Sequence, residues 1–79
     1  MSDLLKQLKK AQRARFTSQI NHLKRTVSFW MNAENEAQTQ NNINVRSRLV
    51  SHHRKERKKA QYKLSMVEQE LADFDKDNT

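Results

Sequence analysis

Apolar residues recur at helical spacing in both halves of the chain. Phe16, Ile20, Leu23, Val27 and Trp30 are separated by alternating steps of four and three, and Ala60, Leu64, Val67, Leu71 and Phe74 repeat that rhythm. Such a heptad seam gathers side chains into one stripe along a helix, where a second helix can cover them. No period-two alternation persists beyond a few residues, so strands are not expected. Upstream, Leu4, Leu8 and Ala11 extend an apolar stripe whose phase slips by one position, which changes the local winding of a supercoil. Extended backwards, the second seam meets Arg57, His53, Val50, Arg46 and Ile43. It is clean at its C-terminal end and mixed with polar groups toward the middle.

The segment QTQNNIN at 38–44 separates the two seams. Asparagine competes for backbone hydrogen bonds inside a helix, yet caps helices and tolerates left-handed backbone. Asn41 or Asn42 is therefore the expected residue just past helix 1, and Asn44 the expected cap of helix 2. This predicts a helix over about 3–39, a turn over about 40–44, a helix over about 45–74 and a frayed acidic tail over 75–79. Two alternatives stay open: one unbroken helix, or a first helix ending near Met31 with 32–44 as a long loop. The expected fold class is all-α, a long antiparallel, coiled-coil-like helical hairpin forming a single domain.

Composition sharpens this picture. The 79 residues contain no glycine, proline or cysteine, and 34% are apolar. Without glycine or proline, a fold with many tight turns is hard to build, whereas the abundant Leu, Lys, Arg, Gln, Glu and Ala favour helix. A chain this short supports at most a thin core, and no disulfide or thiolate metal site can reinforce it. No apolar run is long enough to span a bilayer. MSDLLKQLKKAQ lacks a secretory apolar region, so an intracellular location, cytoplasmic or nucleoid/nuclear and not secreted, is expected.

Charge divides the chain into blocks of +6 (residues 1–31), −2 (32–45), +7 (46–63) and −4 (64–79). A hairpin folded about residue 42 would bring Lys6, Lys9 and Lys10 toward Asp73, Asp75 and Asp77, and Glu34 and Glu36 toward Arg46 and Arg48. It would also set Lys24 and Arg25 against Lys58 and Lys59, with Arg54 and Lys55 nearby. Like charges so placed either splay into solvent or attract a polyanion. These six residues are the candidate nucleic-acid site, making salt-dependent and sequence-blind phosphate contacts with DNA or RNA. An anionic membrane surface or an acidic protein is the other partner such a face could take.

Two helices cover only one side of each other. Phe29 and Met31 beside Trp30, and Tyr62 and Met66 beside Leu64, widen the apolar stripe beyond the seam, as in bundles of three or four helices. A homodimer of hairpins forming a four-helix bundle is the economical solution. Phe16, Ile20, Leu23, Val27, Trp30, Leu64, Val67, Leu71 and Phe74 are the candidate self-association residues. Phe29, Trp30 and Met31 are either core or the anchor for a second protein.

Catalytic chemistry finds no foothold. His52 and His53 point about 100° apart on a helix and cannot share a metal by themselves. His53 falls on the seam. The C-terminal carboxylates lack the pattern of a calcium-binding loop, and Ser18, Ser28, Ser51 and Ser65 have no evident base with an orienting acid. No cofactor, metal site or enzymatic activity is expected. A non-enzymatic assembly and protein-interaction module is the reading that the seams favour, with nucleic-acid binding as the alternative.

A basic start (LKKAQRARFTSQINHLKR), a polar middle (NAENEAQTQNN) and the following INVRSRLVSHHRKERKKAQYKLSMVEQELADFD give an arrangement over residues 5–74. It resembles the helical N-terminal region of retroelement and retrovirus-like Gag polyproteins. The resemblance implies a viral or mobile-element protein concerned with assembly and nucleic-acid association, and carries no catalytic residues.

Overall fold

The computed structural model of the protein describes residues 2–78. Its two helices, α1 (Ser2–Ala37) and α2 (Ile43–Asp77), pack against each other as an antiparallel hairpin with no strand among the described residues. The unbroken helix and the long 32–44 loop are both set aside. α1 ends two residues earlier than the periodicity predicts. α2 begins two residues earlier and runs as far as Asp77, so the expected acidic tail is helical over 75–77; Thr79 lies outside the described residues.

The connection differs from the expected chemistry in two respects. Asn42, not Asn44, caps α2: its Oδ1 accepts from the backbone N–H of Asn44 at 3.0 Å and of Val45 at 3.2 Å. No described residue has a positive φ, so no asparagine adopts the left-handed conformation expected past helix 1. The reason lies in the last turn of α1, which tightens. Thr39 N–H donates to Glu36 O and Gln40 N–H to Ala37 O, while the Thr39 hydroxyl also donates to Glu36 O at 2.6 Å. These bonds satisfy terminal carbonyls without a left-handed residue.

The seams do close on one another. All five residues of each are buried or half-buried, and the Phe16 and Phe74 rings meet with centroids 5.6 Å apart. The α1 seam continues past Trp30 through Glu34 and Ala37, in the same steps of four and three. Glu34 is 9% exposed, as deep as Ile20 at 8%. The core is thin: no large side chain is fully buried among the described residues.

Register is where charge symmetry misleads. The contacts Phe16–Phe74, Arg13–Asp75 and Glu34–Arg57 centre the fold near residue 45, not 42. Each α1 residue therefore faces a position about six residues, or roughly 9 Å, further along α2. Asp75 pairs with Arg13 instead of approaching the lysines at 6–10, and Glu34 pairs with Arg54 and Arg57 instead of Arg46 or Arg48. Packing decides this. Ring contact and a buried carboxylate constrain the offset more strongly than exposed charges, whose pairing is worth only about 0–1 kcal/mol.

The offset leaves residues 3–12 of α1 beyond the last described turn of α2. A 36-residue helix is about 54 Å long, whereas the hairpin measures 64 × 15 × 12 Å. On this projecting arm Leu4, Leu5 and Leu8 are 64%, 54% and 58% exposed.

Candidate interaction surfaces

Heptad geometry gives the hairpin two long sides flanking its seam, and they differ in chemistry. On one side Gln19, His22 and Leu23 of α1 and Lys63, Met66, Val67 and Glu70 of α2 line an open groove of about 350 Å³. Its floor is apolar, formed by Leu23, Val67 and the exposed Met66. Leu8, Arg15, His22 and Phe29 recur every seven residues along the α1 flank of this side, and Leu8 and Phe29 are exposed at its two ends.

The opposite side is polar. Arg13, Thr17, Asn21 and Lys24 of α1 line a groove with Glu68, Leu71, Ala72 and Asp75 of α2. Arg13 closes it with a two-pronged contact, Nε to Asp75 Oδ1 at 3.0 Å and Nη2 to Oδ2 at 3.2 Å. Both side chains are substantially solvated, so this pair fixes geometry more than it adds stability.

Nearer the turn, Glu34 accepts from Arg54 Nε at 3.0 Å and from Arg57 Nε at 2.9 Å, one guanidinium on each carboxylate oxygen. Arg57 is further held by Gln61 Oε1 at 3.3 Å. The Arg54 hydrogen bond is the largest influence on Glu34. Burial opposes it and Arg57 adds to it, leaving the carboxyl below its ordinary 4.5. Beside this triad Trp30 stacks near His53, with ring centroids 5.5 Å apart and tilted by 31°. It also meets His52 and Phe29 edge-on at 6.0 and 5.0 Å. Trp30 is thus half-buried under histidines, while Phe29 and Met31 are exposed. The expected anchor group is split between core and surface.

The six basic candidates do not form one cluster. Lys24 lies along the polar groove with Glu68 and Asp75, and does not face Lys58. Arg54 is engaged by Glu34, and Lys59 Nζ reaches Glu56 Oε1 at 3.4 Å. Arg25, Lys55 and Lys58 are exposed, with no carboxylate partner among the described residues. The register shift separates the α1 and α2 cations that a pivot at 42 would have brought together.

The nine seam candidates are used within the chain, closing α1 on α2. Sequence periodicity missed the projecting arm, because nothing in the apolar spacing sets the axial offset. It also missed that Glu34, expected in an exposed pair with Arg46 or Arg48, is buried on the seam, although continuing the 27, 30, 34, 37 steps through an acidic residue would have found it. Among the described residues no three His, Cys, Asp or Glu side chains converge as a metal site, and no helix is long and apolar enough to cross a membrane. No protein-family model, curated protein or solved structure matches the chain.

Proposed function

We propose that this chain is a non-enzymatic self-association module whose hairpins join tail to tail, each laying its projecting arm into the apolar groove of a second copy. The observation that carries this reading is the offset of α1. It places Leu4, Leu5 and Leu8 in solvent, next to a side whose groove has an apolar floor.

Area supports the same occupant. The accessible surface is 6531 Å² for 9.4 kDa, against about 5,000 Å² for a compact monomer of that mass. The excess is larger than the roughly 800 Å² that each partner loses in an interface of ordinary size. Charge supports it too. The arm carries Lys6, Lys9 and Lys10, while the far end of α2 carries Glu68, Glu70, Asp73, Asp75 and Asp77. Only Asp75 of these acids is engaged by an arginine of its own chain among the described ion pairs. A two-fold axis near the level of Phe16, at the base of the arm, lets both copies make the same contacts and produces a four-helix section where they overlap.

Sedimentation equilibrium tests the proposal. The protein is expected to dimerise, and Leu5→Glu with Leu8→Glu to yield a helical monomer. A wild-type protein that stays monomeric at millimolar concentration overturns the reading, as does a double variant that dimerises as tightly as wild type.

A further inference from the structure

The groove and the arm leave one strongly charged surface unused: the face of α2 directed away from α1. Arg48, Ser51, Lys55, Lys58, Tyr62 and Ser65 succeed one another in steps of three and four, which aligns them in one row opposite the seam. All six are exposed. The ion pairs sort the cations around them. Arg54 and Arg57 are committed to Glu34, and Lys59 to Glu56. Arg48, Lys55 and Lys58 have no carboxylate partner among the described residues, and Glu56 is the single acid between positions 43 and 67. Beside these cations stands Tyr62, 68% exposed and without a ring contact among the described residues.

We propose that this row binds single-stranded nucleic acid, with Arg48, Lys55 and Lys58 contacting successive phosphates and Tyr62 offering its ring to an unpaired base. From Arg48 to Tyr62 the row runs about 21 Å along the helix. It is convex, so it cannot enclose a small anion, but a polyanion can lie along it. An exposed aromatic among cations is the combination that holds single strands: phosphates are neutralised while a splayed base stacks. A lipid surface fits less well, because interfacial helices insert a broad apolar face beside their cations. Here the row offers one aromatic ring, between Lys58 and Ser65. The row lies on the opposite side of α2 from the seam and apart from the groove, so it is open in a monomer and in the proposed dimer alike.

Fluorescence anisotropy with a labelled 20-mer of oligothymidylate, its duplex with oligoadenylate, and anionic phosphatidylserine vesicles as competitor provides the test. Three phosphate contacts predict a log–log salt slope of about −2 on the single strand. Lys55→Glu with Lys58→Glu is expected to weaken binding at least tenfold. Lys24→Glu with Arg25→Glu, an equal change of net charge on α1, should leave it within about twofold. Tyr62→Ala is expected to weaken single-strand binding about tenfold while barely affecting duplex binding. Circular dichroism and sedimentation of each variant separate loss of binding from loss of fold or of dimerisation. Equal losses from both charge-reversal pairs would reduce the effect to net charge and overturn the proposal. Duplex preference with an inert Tyr62→Ala, or binding to vesicles but not to oligonucleotide, would overturn it as well.

Discussion

The ring of Phe16 lies 5.6 Å from that of Phe74, tilted by 54°, and this contact holds the open end of the hairpin together. Both rings are half-buried, one turn or less from the Arg13–Asp75 pair. A tilted aromatic pair at this distance adds to the area it buries. Phe74→Ala is therefore expected to lower stability by about 2 kcal/mol, less than for a fully enclosed phenylalanine. Urea unfolding followed by circular dichroism measures it. Amide exchange should rise first in the last turns of α2, because nothing else among the described contacts ties them to α1 as firmly.

Glu34 makes the hairpin sensitive to acid. Hydrogen bonds from Arg54 and Arg57 hold its carboxyl below the ordinary 4.5, so between the two values the unfolded chain binds more protons than the folded one. Stability from this site is complete above the ordinary carboxylate range and is lost as pH falls through the depressed value. Glu34→Gln should lower the melting temperature at pH 7, and the gap to wild type should narrow as pH drops from 5 toward 3. A constant gap across that range would show that the carboxylate charge is not what matters.

His53 presents the opposite case. Its Nδ1 is buried without a hydrogen-bond partner among the described residues, while its ring lies over Trp30. A buried polar atom left unsatisfied costs about 1–3 kcal/mol, and an apolar side chain of similar size removes that cost. His53→Leu should raise stability by about 1 kcal/mol in a urea titration, with the Trp30 fluorescence maximum shifted to the blue.

The cap of α2 separates two neighbouring asparagines. Asn42→Ala removes an oxygen that accepts two backbone N–H groups, and should cost about 1 kcal/mol. Asn44→Ala, inside the first turn, should be neutral within about 0.5 kcal/mol. Thermal melts of the two variants side by side are sufficient.

How far these features can be read from sequence depends on what each interaction requires. Leu64, Val67, Leu71 and Phe74 announce their stripe because a helix of any partner would bury the same face. Glu34 was hidden in that stripe by its charge: a carboxylate reads as surface until two arginines from the other helix are known to meet it. The offset between Phe16 and Phe74 was out of reach for a different reason. Two repeating seams slide past one another in steps of a heptad with little change in local pattern, and only particular ring and ion-pair contacts select one step. The missing glycine and proline could reveal few turns, but not which asparagine would cap the second helix. The same offset determines that Leu4, Leu5 and Leu8 project, so the candidate self-association surface became visible only with the register.

That surface makes a prediction about which residues meet between copies. The arm of one hairpin, seated in the groove of another, brings Leu8 near Met66, two side chains that a single copy holds far apart. Residue 66 faces α1 near Leu23, whose side chain shares the groove floor, and Leu8 lies fifteen residues, or about 22 Å, further along that helix. The chain has no cysteine, so cysteines can be introduced one at a time without background. A mixture of Leu8→Cys and Met66→Cys proteins should form a disulfide heterodimer under mild oxidation, faster than either variant links to itself. Pairing Leu8→Cys with Tyr62→Cys, on the outward face of α2, should give little product. Both losses of apolar side chain are modest, and the trapped species should keep the helicity of wild type. If the Tyr62 pairing links as fast as the Met66 pairing, the arm does not occupy the groove, and the copies meet by some other face.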